Sequence, residues 1–221
     1  MKLRISVAER QADVLRCQYF IAEIYNRRYQ IMFSEEVHDL EARIEPYPQR
    51  YLMGTVDGEL VATLGLYTRN TYVERYGDVT EDDIHAELER AGALEQYAAH
   101  TLRELTKLVV ADAWEGRGLV ALMQRAAHAD AFMEREAAAP VLVLVCGKVS
   151  LFKHLFYPRT EVRSRFLAPF PRYPMHAAYR TEADPMESRL IIPSVDVPRE
   201  MREQTLPLEF EIPERKGSAR A

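Results

Sequence analysis

The chain has 221 residues, 48% of them apolar, and a net charge of −5 from 29 basic and 34 acidic side chains. That length fits one domain with one substantial core, and the acidic balance gives no general case for nucleic-acid binding. Two cysteines far apart in sequence, Cys17 and Cys146, with an N-terminus lacking the apolar core of a secretory signal, predict a cytoplasmic protein with reduced thiols.

In chain order, Lys2 to Val7 alternates as a short strand, and Glu9 to about Met32 carries apolar residues at helical spacing, as one helix or two. Gln49 to Val56 and Glu59 to Tyr67 read as two strands joined by Asp57-Gly58, a strong hairpin signal. Thr80 followed by Glu-Asp-Asp is an N-cap with an acidic first turn, and that helix is expected to stop at Gly92. Thr101 to Ala111 is a strand. A helix follows over Arg117 to Glu136, with Leu119, Leu122, Met123, Ala126, Ala129 and Met133 inward and Gln124, Arg125, His128 and Arg135 outward. Pro140 to Val145 is an uninterrupted apolar run, the pattern of a strand buried on both faces. Strand, helix, strand at this spacing predicts a parallel crossover. Val149 to Tyr157 reads as a short helix, and Glu161 to Leu167 and Ala177 to Thr181 as late strands. The expected organisation is a single domain over 1–192 and a C-terminal extension over 193–221. Within that extension Leu206 to Ile212 alternates like an edge strand, and its last residues are expected to be disordered. The longest apolar run is well short of the roughly 20 residues a membrane span needs. The scattered histidines offer no metal-ligand spacing.

The segment Glu104-Leu-Thr-Lys-Leu-Val-Val-Ala-Asp-Ala-Trp-Glu-Gly-Arg-Gly-Leu-Val-Ala-Leu-Met123 says most about function. A strand that turns through glycines into a helix aims unpaired backbone N–H groups and the positive end of the helix dipole at one point, which suits a phosphate or pyrophosphate. No Gly-Lys-Ser/Thr follows, so this is not a P-loop. Gly116 and Gly118 lack the third glycine of a dinucleotide fingerprint.

This segment resembles the acyl-donor loop of the GNAT acyltransferases, which bind the pyrophosphate or phosphopantetheine of acyl-CoA or an acyl carrier. The order of elements from about Lys2 to Thr181 is also similar to that fold, an α/β sandwich with a central mixed sheet flanked by helices. The usual loop motif runs Gln or Arg, two residues, Gly, one residue, then Gly or Ala. Glu115, Gly118 and Val120 stand at those positions, so only the central glycine is kept. A narrower resemblance is to the autoinducer-synthase branch, which includes the N-acyl amino acid synthases and takes long acyl chains from acyl carrier protein. Arg16 with Tyr19 and Phe20, then Asp39, loosely match its N-terminal pattern, and Glu104-Leu-Thr-Lys107 has that branch's Glu with Lys in place of Arg. The Arg usual at the end of the hairpin strand and a second Asp near Asp39 are absent, which argues against a homoserine-lactone synthase proper.

The resemblance implies an N-acyltransferase that uses acyl-CoA or acyl-phosphopantetheine as co-substrate, a small-molecule amine as acceptor and an acyl carrier protein as a possible partner. No permanently bound cofactor and no metal are expected. Acyl transfer needs a group to deprotonate the amine, one to polarise the carbonyl and one to protonate the leaving thiolate. Glu104 is the candidate base, and the competing reading is a solvated strand-end carboxylate or a partner of Lys107. Tyr157 is the candidate acid, against simple packing with Phe152, Leu155 and Phe156. The backbones of Val109 and Val110 are expected to meet the pantetheine arm, and those of Arg117, Gly118, Leu119 and Val120 the phosphate. Arg16 and Asp39 are the candidates on the acceptor side. Arg27 and Arg28 read as a solvated helix face, although one of them could grip an acceptor carboxylate. Arg159, Arg163, Arg165 and Arg172 are either scattered surface charge or a landing face for an acidic carrier. Leu122, Met123 and Ala126, with Leu142 and Leu144, are expected to wall an apolar acyl pocket. Alternative readings are an acetyl-CoA-dependent acetyltransferase and a non-catalytic thioester sensor.

Overall fold

The computed structural model describes residues 1–29, 50–67, 80–130, 137–148 and 186–213. The elements are β1 (Lys2–Val7), α1 (Gln11–Tyr29), β2 (Arg50–Val56), β3 (Glu59–Tyr67), α2 (Glu81–Arg90), α3 (Leu94–Tyr97), β4 (Thr101–Val110), a 3-10 turn (Asp112–Trp114), α4 (Leu119–His128), β5 (Val141–Lys148), β6 (Met186–Ile191), α5 (Pro193–Asp196), α6 (Arg199–Arg202) and β7 (Leu208–Glu211). Among these residues no helix is long and apolar enough to cross a membrane.

Seven strands form one sheet in the order β6-β5-β4-β3-β2-β1-β7. Among the described strands only β4 and β5 run parallel, and the other pairings are antiparallel. The hairpin turns at Asp57 and Gly58, whose φ of 51° and 83° are the two left-handed values a tight two-residue turn requires. Thr80 caps α2 reciprocally: its hydroxyl accepts from the Asp83 N–H while the Asp83 carboxylate accepts from the Thr80 N–H.

Strand alternation sorts the core into two layers. On one face Leu3, Ile5, Leu52, Leu64, Leu66, Leu105 and Val143 pack under α4 through Leu119, Met123 and Ala126. On the other, Tyr51, Met53 and Val109 lie under Cys17, Ile21 and Ile24 of α1, while Leu142, Leu144 and Leu190 lie under Ile84 and Leu88 of α2. Val197, Met201 and Ile212, from beyond residue 192, are buried in the α4 layer, and β7 pairs with β1 at the sheet edge. The helix after the glycine loop is shorter than Arg117 to Glu136 within the described residues. Its expected outward face is also wrong at two positions, since Gln124 and His128 are buried. The chain's own C-terminal segment reaches this helix: Gln204 accepts from the Arg125 guanidinium, and Arg202 lies close enough to act electrostatically on His128. The expected helix at Val149 to Tyr157 and strands at Glu161 to Leu167 and Ala177 to Thr181 fall outside the described residues.

Candidate active site

The parallel pairing of β4 and β5 runs from Thr101↔Val141 to Leu105↔Val145 and ends there, although β5 continues to Lys148 against β6. On its other side β4 slips register: Gly65 pairs with Thr106 but Thr63 with Val109, so β4 carries one extra residue. That extra residue is a β-bulge, and Lys107 sits in it with a left-handed φ of 50°, a conformation costing a non-glycine residue roughly 1–2 kcal/mol. Thr63 is fully buried, and its hydroxyl donates to the Lys107 carbonyl at 3.3 Å, satisfying a backbone group that the bulge frees from the ladder. Among the described residues the β4–β5 ladder therefore stops immediately beside a backbone irregularity, leaving a gap in the pairing of β4 toward its carboxyl end.

Glu104 lies at the closed end of this gap, registered against Tyr67 on one side and Leu144 on the other. Its neighbour Leu105 faces α4, so Glu104 faces the α1 and α2 side. It is 1% exposed, which excludes the reading of a solvated strand-end carboxylate. Acidic groups removed from water are candidates for chemistry. Lys107 carries its ammonium to the Tyr25 ring of α1, 5.7 Å from the centroid, and thus joins Glu104 on this side.

At the open end, β4 leads through the 3-10 turn into Glu115, Gly116, Arg117 and Gly118. Both glycines have positive φ, 73° and 79°, and a side-chain carbon built at either would meet no atom within 4 Å. Gly118, the N-cap of α4, makes no side-chain capping bond, and the first N–H groups of a helix, here those of Leu119 and Val120, have no partner within the helix itself. The Arg117 guanidinium stacks on Trp114 at 4.4 Å from the ring centroid, with Nη2 donating weakly to the Ala113 carbonyl at 3.4 Å. Val109 and Val110 are buried and pair with Thr63 and Ala62, and among the described residues β5 pairs with β4 no further than Leu105.

Arg28 does not stand on a solvated face. Its Nε donates to Asp112 at 2.8 Å and its Nη2 to the Val110 carbonyl at 2.6 Å, and it pairs with Glu115 at 2.6 Å. Arg27 meets the second oxygen of Asp112 at 3.0 Å. The Arg28 hydrogen bond holds the Asp112 carboxyl below the usual carboxylate range, against a small opposing effect of burial. Arg16 donates to the Gly58 carbonyl at 2.7 Å, at the opposite end of β3 from Tyr67, the partner of Glu104. The structure thus gathers Glu104, Val109, Val110, Arg117, Gly118, Leu119 and Val120 along one strand and its loop, and sets Arg16 on the hairpin. Asp39, Tyr157, Arg159, Arg163, Arg165 and Arg172 lie outside the described residues.

The expected acyl wall needs correction. Leu122, Met123 and Ala126 belong to the α4 layer, whereas Leu142 and Leu144 face α2 on the other side of the sheet. Within β5 it is Val141, Val143 and Val145 that share the α4 layer, because side chains alternate along a strand. Neither the parting of the strands nor the bulge has a local sequence signal. A glycine or asparagine at 107 would have hinted at the bulge, and lysine does not.

A central mixed sheet flanked by helices, with one parallel pair whose pairing stops beside a bulge and a glycine loop leading into a helix, is a GNAT-like α/β fold. Among solved structures, the chain is similar to FeeM, an N-acyl amino acid synthase from uncultured soil microbes, with a TM-score of 0.53 and 10% identity over 93% of this chain and 96% of that one. It also matches a GCN5-related N-acetyltransferase from Kribbella flavida, with a TM-score of 0.38 and 13% identity over 69% of this chain and 33% of that one. No protein-family model matches the sequence, and no curated protein matches it.

Proposed function

We propose that this chain is an N-acyltransferase that moves an acyl group from a pantetheine thioester, carried on coenzyme A or an acyl carrier protein, to the amine of an amino acid or related small molecule. The observation that carries this reading is the end of β4–β5 pairing at Leu105↔Val145, between the buried Glu104 carboxylate and the Gly116–Gly118 loop. A pantetheine arm fits alongside β4 beyond Leu105 as a strand surrogate, meeting the backbone at Val109 and Val110, where the Val110 carbonyl is already held by Arg28, while its phosphate meets the backbone N–H groups from Arg117 to Val120. In this arrangement the thioester carbon lies near the bulge and Glu104.

The acceptor nitrogen attacks the thioester carbon, its proton passes to Glu104 directly or through water, and the carbon–sulfur bond breaks. The thiolate leaves as the thiol after taking a proton, for which Tyr157 is the proposed donor. Likeness to FeeM supports the fold, and with it an amino acid as the acceptor class to try first.

The test is thiol release on mixing the protein with acetyl-CoA, a long-chain acyl-CoA or long-chain acyl carrier protein, each against a panel of amino acids. Release with long-chain donors, dependent on the amine, is the expected result. Release with acetyl-CoA alone moves the protein to the acetyltransferases. Donor binding without release under any pairing makes it a thioester sensor.

A further inference from the structure

The donor loop carries two carboxylates, Asp112 and Glu115, within a few residues of the helix N-terminus that is read as the phosphate site. Glu115 also occupies the position where the family's loop motif has Gln or Arg. Two negative charges there oppose a pyrophosphate, since a Debye length of about 8 Å at physiological ionic strength leaves such near neighbours poorly screened. The molecule answers with cations from a different element. In the last turn of α1, Arg28 bonds Asp112, Glu115 and the last carbonyl of β4, that of Val110, while Arg27 takes the remaining oxygen of Asp112.

This is more than a surface ion pair. One planar guanidinium joins a strand end and both acidic side chains of the loop, and its side chain is only 25% exposed. A lysine ammonium has neither the fork nor the reach to repeat it. The loop is covalently continuous with β4, and its own 3-10 turn rests on single backbone bonds, from the Trp114 N–H to Ala111 and the Glu115 N–H to Asp112. The side-chain tie to α1 fixes where the loop stands relative to the strand that leads into it.

We infer that Arg28, assisted by Arg27, is the charge-compensating and positioning residue of the donor loop. It cancels Asp112 and Glu115 and pins the loop to β4, so that a polyanion can reach the amides of Arg117 to Val120. This rests on reading that loop as the phosphate site. Arg28 touches no reacting atom; it acts through Glu115, Asp112 and Val110.

The probes are coenzyme A and pantetheine, which share the arm and differ in the phosphates, titrated calorimetrically into the full chain. Wild-type protein should prefer coenzyme A by tenfold or more. R28Q should lose most of that preference with pantetheine affinity kept within about twofold, and R28K should not restore it. E115Q should tighten coenzyme A, because Arg27 and Arg28 then face Asp112 alone. R28Q/E115Q should recover most of the loss, which a purely structural role for Arg28 would not allow. A wild-type protein without preference for coenzyme A overturns the donor-loop reading itself. A clear wild-type preference that survives in R28Q overturns the role of Arg28. Should R28Q not fold, E115Q decides: weaker coenzyme A binding by that variant overturns the inference.

Discussion

Glu104 and Lys107 stand three residues apart in β4 and yet share the face of the sheet opposite α4. Strict alternation would place residues three apart on opposite faces. The bulge at Lys107, with φ 50°, inserts one residue and returns its side chain to the Tyr25 side, where Glu104 already lies buried. The spacing Glu-x-x-Lys thus becomes one surface only because the strand is irregular.

Glu104→Gln keeps the shape of the side chain and removes its ability to accept a proton. Turnover in the thiol-release assay should fall by roughly 10² to 10⁴, the range for loss of a general base, with donor affinity within a few-fold of wild type. Turnover close to wild type across the pH profile would remove Glu104 from the mechanism.

Thr63→Val is nearly isosteric and deletes the hydroxyl that donates to the Lys107 carbonyl. Losing an intramolecular hydrogen bond of this kind costs about 0.5–1.5 kcal/mol. In a domain of this size that lowers the melting temperature by roughly 2–4 °C per kcal/mol. Because the bulge adjoins the gap, kcat is expected to drop further than stability alone explains. An unchanged melting temperature would show that the hydroxyl does not support the bulge.

Two substitutions at Gly118 separate backbone strain from charge. At its φ of 79° alanine carries the left-handed penalty of roughly 1–2 kcal/mol, yet projects into open space. Gly118→Ala should therefore lower the melting temperature while largely sparing donor affinity. Gly118→Asp adds a negative charge to the amide cluster and should weaken coenzyme A strongly, with the effect shrinking as salt is raised. Equal coenzyme A affinity for the two variants would locate the phosphate elsewhere.

His128 sets a pH dependence. Burial, with Arg202 nearby, pushes its pKa down to about 3 from an ordinary 6.5. Between those values the unfolded chain takes up a proton that the folded chain refuses, so protonation favours unfolding and stability falls as the pH drops through this window. The slope is at most about 1.4 kcal/mol per pH unit. Denaturant titrations from pH 7 to 4 should therefore show a flatter profile for His128→Leu than for wild type. Parallel profiles would mean that His128 does not contribute.

Local patterns in the sequence determined most of the elements and the glycine loop after β4. Alternation marks β1, Asp57-Gly58 the hairpin of β2 and β3, Thr80 with Asp83 the cap of α2, and Gly116 and Gly118 the turn into α4, because each is decided by residues within a few positions of one another. Residues distant in sequence decided the rest. The buried state of Gln124 and His128 depends on the C-terminal segment packing over α4, and the assignment of Leu142 and Leu144 to the α2 face depends on the register of β5 between β4 and β6. The partnership of Arg28 with Asp112 and Glu115 spans more than 80 positions, and a helix face that looks solvated by its own periodicity reveals nothing of a loop folded against it. The gap itself arises where two strands stop pairing. Hydrogen bonds between strands belong to the sheet rather than to either sequence segment, so only the tertiary structure could place it beside Glu104.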